Sequence, residues 1–140
     1  MSSTVDSPSG THPHPAHAFL LAAMVPLFVG AAINDYAYTS SAQVQWLNFA
    51  NWLIAGGLVF AGGALLCVVA GLVRGYRGHY VFDFVLLLAL WILGFIDALV
   101  HARDAWASMP TGLVLSVVVA ALACIAAWLG FSRLRVRGMP

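Results

Sequence analysis

At 140 residues the chain has room for one domain, and 62% hydrophobic against 8% charged residues excludes an ordinary water-facing surface. Six Arg without Lys and five Asp without Glu leave a formal net charge of +1, which excludes the clustered basic face that nucleic acid requires. Both cysteines, Cys67 and Cys124, lie in apolar runs with no CxxC or CxxCH, so a disulfide framework, a structural zinc site and covalent haem attachment lack support.

Residues 1–11 are mostly Ser, Thr, Pro and Gly around a single Asp6 and read as a disordered tail. The tail lacks the basic n-region of a secretory signal, so the first apolar segment is expected to be a retained helix. That segment is preceded by His12-Pro13-His14-Pro15-Ala16-His17, three of the five histidines within six residues. Helix one is predicted over about residues 15–38. Pro26 lies inside it and frees the carbonyl of Ala22, so a kink is expected. Its end, Asn34-Asp35-Tyr36-Ala37-Tyr38, has the polar and aromatic character of a membrane interface.

Helix two is predicted over about 46–73, longer than a hydrocarbon core of ~30 Å needs at ~1.5 Å per residue. Gly56, Gly57, Gly62, Gly63 and Gly71 mark it as a close-packing helix, because small residues let helices approach where lipid removes the hydrophobic drive. A homo-oligomer built on this stripe is compatible with it. Arg74-Gly75-Tyr76-Arg77-Gly78 forms a basic turn. Helix three, about 79–101, carries His79, Asp83, Asp97 and His101. Helix four, about 110–131, has no ionisable side chain, and residues 135–140 form a basic tail.

The fold class is therefore an all-α, four-helix transmembrane bundle over residues 12–134, in contact with the lipid bilayer. Four crossings put both termini and the second loop on one side. That side holds Arg74, Arg77, Arg133, Arg135 and Arg137, and the other holds Arg103. The positive-inside rule then predicts both termini in the cytoplasm.

Helical spacing sorts the polar residues into two groups. On the terminal side, His14 and His17 are three apart and His79 and Asp83 are four apart, so each pair shares a helix face. Two imidazoles from different helices can hold haem iron in a bundle. His17 and His79 are the candidate axial ligands of a b-type haem, with His14 nearby and Asp83 as the acceptor that orients His79. Interfacial histidine costs little, and plain interface positions outweigh ligands at these helix ends. A zinc or copper site from His12, His14 and His17 ranks lower, since no Cys or carboxylate accompanies them. On the far side, Asp97 and His101 are four apart on helix three, with Asp35 at the end of helix one and Arg103 just beyond. An intramembrane carboxylate is a functional candidate by default, and a proton or partner site is the sharper interpretation. The plainer one, slightly favoured, is that Asp97 pairs with His101 or Arg103 and pins helix three. No P-loop, GxGxxG, HExxH or GxSxG occurs, so no enzyme activity of its own is expected.

His14-Pro15-Ala16-His17-Ala18-Phe19, opening an apolar helix, resembles the HPxxxHF-type start of the DUF2231 family of predicted prokaryotic membrane proteins. The resemblance continues through Trp52-Leu53-Ile54-Ala55-Gly56-Gly57-Leu58, Ala70-Gly71-Leu72, the His79 and Asp83 pair, His101-Ala102-Arg103-Asp104-Ala105-Trp106 and Trp128-Leu129-Gly130. It implies a four-helix protein of a prokaryotic cytoplasmic membrane. The company of Rieske domains and sugar dehydrogenases in the family further implies redox work. Asp83 stands where the family has an amide, and the tail lacks the family's Tyr-Arg-His. The leading hypothesis is thus a membrane subunit of an electron-transfer system, holding a b-type haem and facing a redox partner protein. Its rivals are a cofactor-free anchor or scaffold that recruits a partner and, behind that, a small transporter or proton conduit using Asp97 and His101.

Overall fold

The computed structural model describes residues 15–103 and 108–137. Among these are four long helices, α1 (Pro15–Ser41), α2 (Val44–Val73), α3 (His79–His101) and α4 (Thr111–Arg137). All four are long and apolar enough to cross a membrane. The described residues contain no strand.

Pro15 opens α1, where a missing N–H leaves no helical bond unmade. The helix runs through Pro26 on its exposed side and continues past the predicted end at Tyr38. The hydroxyl of Thr39 donates to the carbonyl of Tyr36, and those of Ser40 and Ser41 donate to that of Ala37, occupying acceptors that a helix end leaves open. Ala42 then stops it with φ of 55° while its N–H still reaches the Tyr38 carbonyl at 2.8 Å. A left-handed residue at this point is the usual helix stop, although glycine normally fills it. After α2 the chain turns through Gly75 (φ 89°) and Gly78 (φ 72°), conformations open to glycine without steric cost. The fourth helix extends through Arg137, beyond the predicted end near Phe131, and so takes in both arginines of the basic tail.

Helix α1 packs against α2 and α4, and α3 packs against the same two. The bundle is a square in which α1 and α3 face each other across the diagonal. The buried positions repeat at alternating steps of three and four: Leu21, Met24, Phe28, Ala31, Asp35 and Tyr38 on α1, and Leu47, Ala50, Ile54, Gly57, Ala61, Ala64, Val68 and Gly71 on α2. On α3 the series is Leu87, Leu90, Gly94, Asp97 and His101. This is the heptad spacing of helices that meet along one seam. The large apolar side chains outside it, such as Trp52, Val59, Leu66 and Trp128, are exposed, as expected where lipid rather than water surrounds the helices.

Glycine sets how closely the helices approach. A Cβ on Gly57 would lie 2.7 Å from the Phe28 ring of α1, and one on Gly71 would lie 2.5 Å from the Tyr80 ring of α3. Gly56 and Gly63 receive Leu27 and Leu20 of α1, and Gly62 receives Trp91 of α3, whose indole N–H donates to the Leu58 carbonyl at 3.2 Å. The glycines of α2 thus serve contacts within the chain.

Candidate functional site

At the helix ends or up to two turns inside them, three of the helices bring polar side chains to the bundle axis. Asp35 comes from α1, Asp97 and His101 from α3, and Ser116 from α4. Asp35 and Asp97 are 0% exposed, and His101 and Ser116 are 2% exposed, so water does not solvate these groups. Each sits in the seam at the register that elsewhere holds Met24, Phe28, Leu87 or Leu90. Counting at ~1.5 Å per residue, Asp35, Asp97 and Ser116 lie roughly 6–9 Å from the nearer helix ends.

The side chains form a ring, in which Asp97 Oδ1 is left without a hydrogen bond. His101 Nε2 is 2.8 Å from Asp35 Oδ1. His101 Nδ1 is 2.9 Å from the main-chain carbonyl oxygen of Asp97 and 3.1 Å from its Oδ1. Ser116 Oγ lies 2.5 Å from Asp35 Oδ2 and 2.8 Å from Asp97 Oδ2. The second helix adds only the Asn51 amide, 3.5 Å from the His101 carbonyl. Gly112 lets α4 start against the imidazole, since a Cβ there would lie 2.8 Å from His101 Cε1.

Serine, histidine and aspartate together suggest nucleophilic catalysis, but the connections are wrong for it. A nucleophilic serine must hand its proton to the imidazole, whereas Ser116 contacts the two carboxylates. What this arrangement can do is hold and redistribute protons among two carboxylates, one imidazole and one hydroxyl.

The other end of the bundle is built differently. Asp83 pairs through both carboxylate oxygens with Arg133 of α4, and both side chains are part-exposed. His17 lines a crevice with Leu21, Asp83, Leu86, Leu87, Ala126 and Gly130, and its Nδ1 has no hydrogen-bond partner. The free space there is about 10 Å³, room for roughly one water. His79 is exposed at the start of α3 and lies against the Tyr80 ring, 4.5 Å between centroids. Along α1, His17 and Asp35 are 18 residues apart, about 27 Å. Met24, Phe28, Leu87, Leu90 and Val119, all buried, fill the core between the two ends.

A scan against family models returns a predicted membrane protein family, DUF2231, matching residues 13–137. The chain belongs to the DUF2231 family. No curated protein and no solved structure matches it.

This DUF2231 chain brings Asp35, Asp97 and His101 into direct contact, while Arg103 is exposed beyond the end of α3. Asn34, the other polar candidate at the end of α1, donates to its own helix at the Gly30 carbonyl, 2.7 Å away. On the opposite end, Asp83 is taken up by Arg133 rather than oriented towards His79. His12 and His14 lie outside the described residues. A haem slot between His17 and His79 does not fit what surrounds them: cofactor pockets enclose on the order of 300–1,000 Å³, and the crevice at His17 admits one water. Ser116 escaped the sequence reading, because a serine in an apolar helix looks like a wall residue. The signal that finds it is register, since Gly112, Ser116, Val119 and Ala123 recur at steps of four and three.

Proposed function

We propose that this DUF2231 protein is a proton-responsive membrane bundle, in which proton occupancy of the Asp35, Asp97, His101 and Ser116 centre sets how firmly α1, α3 and α4 are held together. The observation that carries this reading is the buried ring of Asp35, Asp97, His101 and Ser116 across the diagonal of the bundle. Ionisable groups are expensive in lipid. A well-packed apolar set of the same size would hold a bundle as well or better, so their presence points to a role beyond packing.

The centre works from one side. It lies within two turns of the nearer helix ends, so local opening gives a proton access from that face. The apolar seam separates it from the opposite face, which favours sensing over conduction. With five of six arginines on the side of the termini, the positive-inside rule places the termini in the cytoplasm and the centre towards the outer face of a prokaryotic cytoplasmic membrane. A second reading, a cofactor-free anchor that recruits a partner protein, is favoured by the fact that, among the described residues, the hydrogen bonds of the ring's side chains all lie within α1, α3 and α4.

The test compares the wild type with an apolar centre carrying Asp35→Leu, Asp97→Leu, His101→Phe and Ser116→Ala. Resistance to dodecyl sulfate is measured across pH in mixed micelles. The wild type should show a pH-dependent midpoint and the variant a flat one. A variant that keeps the wild-type pH profile would refute the proton-responsive reading and leave the anchor.

A further inference from the structure

We infer that the ring holds two protons beyond a neutral imidazole and two carboxylates, giving it zero net charge, and that at least one of Asp35 and Asp97 is a carboxylic acid bonded to Ser116. The inference rests on the reading above and deepens it by naming the proton and the residues that carry it.

The count follows from which atoms can donate. A main-chain carbonyl oxygen never donates, so the 2.9 Å contact with the Asp97 carbonyl fixes a hydrogen on His101 Nδ1. The 2.8 Å contact between Nε2 and Asp35 Oδ1 needs a second hydrogen, on the imidazole or on the acid. Ser116 has one hydroxyl hydrogen and two carboxyl oxygens within hydrogen-bond distance. It can donate to one of them. The other contact is a hydrogen bond only if that carboxyl group is protonated and donates to Oγ. The four hydrogen bonds thus need four hydrogens, and Asp97 Oδ1, 3.1 Å from Nδ1 but outside hydrogen-bond geometry, needs none. A neutral imidazole and the hydroxyl supply two, and two further protons cancel the two carboxylate charges.

The distribution of the two protons does not alter the result. An imidazolium with one carboxylate and one carboxylic acid satisfies the four contacts. So does a neutral imidazole with two acids. Both are neutral, and both contain an acid next to Ser116. Electrostatics agrees with the count: two carboxylates sharing one buried serine repel each other when both are ionised. Among the described residues, no other charge is bonded to the ring. The first helix brings Asp35, the third Asp97 and His101, the fourth the Ser116 hydroxyl, and the second only the Asn51 amide on the His101 carbonyl. Arg103 is exposed at the end of α3. When one of the two protons leaves to water, one of the four contacts loses its hydrogen and the ring opens.

The measurement is infrared spectroscopy of the full chain in lipid vesicles, with aspartate labelled by carbon-13 at the side-chain carboxyl. The chain has no Glu, so a side-chain carboxylic-acid carbonyl band that moves with the label belongs to one of five aspartates. At neutral pH the wild type should show such a band, also sensitive to deuterium oxide. Asp83→Asn should keep it, and Asp35→Asn with Asp97→Asn should abolish it. Ser116→Ala, which leaves both acids in place, should shift it, because the acid loses its hydroxyl partner. Absence of the band in folded wild-type protein would overturn the inference, and so would its survival in the double variant. If the band is absent while the pH-dependent midpoint persists, the responsive proton belongs to His101 alone. The proton-responsive reading then stands and the neutral ring does not.

Discussion

Replacing Asp35 by Ala removes the only residue through which α1 joins the ring. The loss strands His101 Nε2, bonded at 2.8 Å, and takes from Ser116 Oγ one of its two carboxylate partners, leaving Asp97 Oδ2 at 2.8 Å, with both groups buried. A hydrogen bond involving a charged partner contributes about 1.5–3 kcal/mol and a neutral one about 0.5–1.5 kcal/mol. Interhelical hydrogen bonds in membranes average only about 0.6 kcal/mol, because the unfolded chain in the bilayer also finds partners. Two such bonds therefore set a floor near ~1.2 kcal/mol, and the cost of breaking a buried pair, about 3–5 kcal/mol, sets the ceiling. We expect about 3 kcal/mol, because His101 Nε2 stays buried without a partner between helices that remain in contact. Equilibrium unfolding of the purified protein in mixed micelles reads this directly. Combining Asp35→Ala with Ser116→Ala should be less damaging than the sum of the singles, with a coupling of about 1 kcal/mol. A single-variant cost below about 1 kcal/mol together with zero coupling would show that the ring does not hold α1.

Other consequences follow from individual contacts. Gly112→Ala should push the imidazole of His101 and destabilise the bundle by about 1–3 kcal/mol, visible as a lower unfolding midpoint, whereas Ala at exposed Ala42 is itself the problem. Ala42→Gly should stabilise by about 1 kcal/mol, since φ of 55° suits glycine and strains alanine. Gly57→Ala places a Cβ 2.7 Å from the Phe28 ring and should cost about 1–3 kcal/mol despite alanine's better helix propensity, again by unfolding in micelles. Arg133→Ala should have a small effect, within about 1 kcal/mol, because the Asp83 pair is part-exposed; an effect as large as that of Asp35→Ala would mean that this end of the bundle is far drier than its exposure indicates.

The number of helices, their membrane character and the position of α3 from His79 to His101 were legible because apolar runs of this length between polar turns have few other outcomes. The helix ends were less so. Thr39, Ser40 and Ser41 look like a turn in sequence, yet their hydroxyls cap the carbonyls of α1 and prolong it. Asp97 and His101 could be paired from their spacing, and Asp35 placed near them, because all three are ionisable and share one end. Two features were out of reach. The square order of helices puts α1 and α3 on a diagonal, and only that order makes Asp35 and His101 partners across the axis. The Asp83 carboxylate was read with its neighbour on α3, His79, because spacing within a helix is visible in sequence and a partner 50 residues away is not.

The two ends of the bundle also differ in what their polar contacts can report. Asp83 and Arg133 join α3 and α4, which pack side by side, so apolar contacts along the same interface hold them in place whether or not the ion pair forms. Asp35 and His101 join helices that face each other across the axis, where the small residues Ala31 and Gly94 occupy the next seam positions. Phe28, Leu58 and Val119 pack against Gly94, so the ring is the polar link across the axis at its own level and apolar packing takes over beyond it. A proton lost from the ring therefore acts directly on the separation of two helices that do not pack side by side, while a charge lost at Asp83 acts on a pair that does. Measured as a distance between spin labels on α1 and α3 near the ring, the separation should widen when the ring is deprotonated, and the matching α3–α4 distance at the Asp83 end should not move.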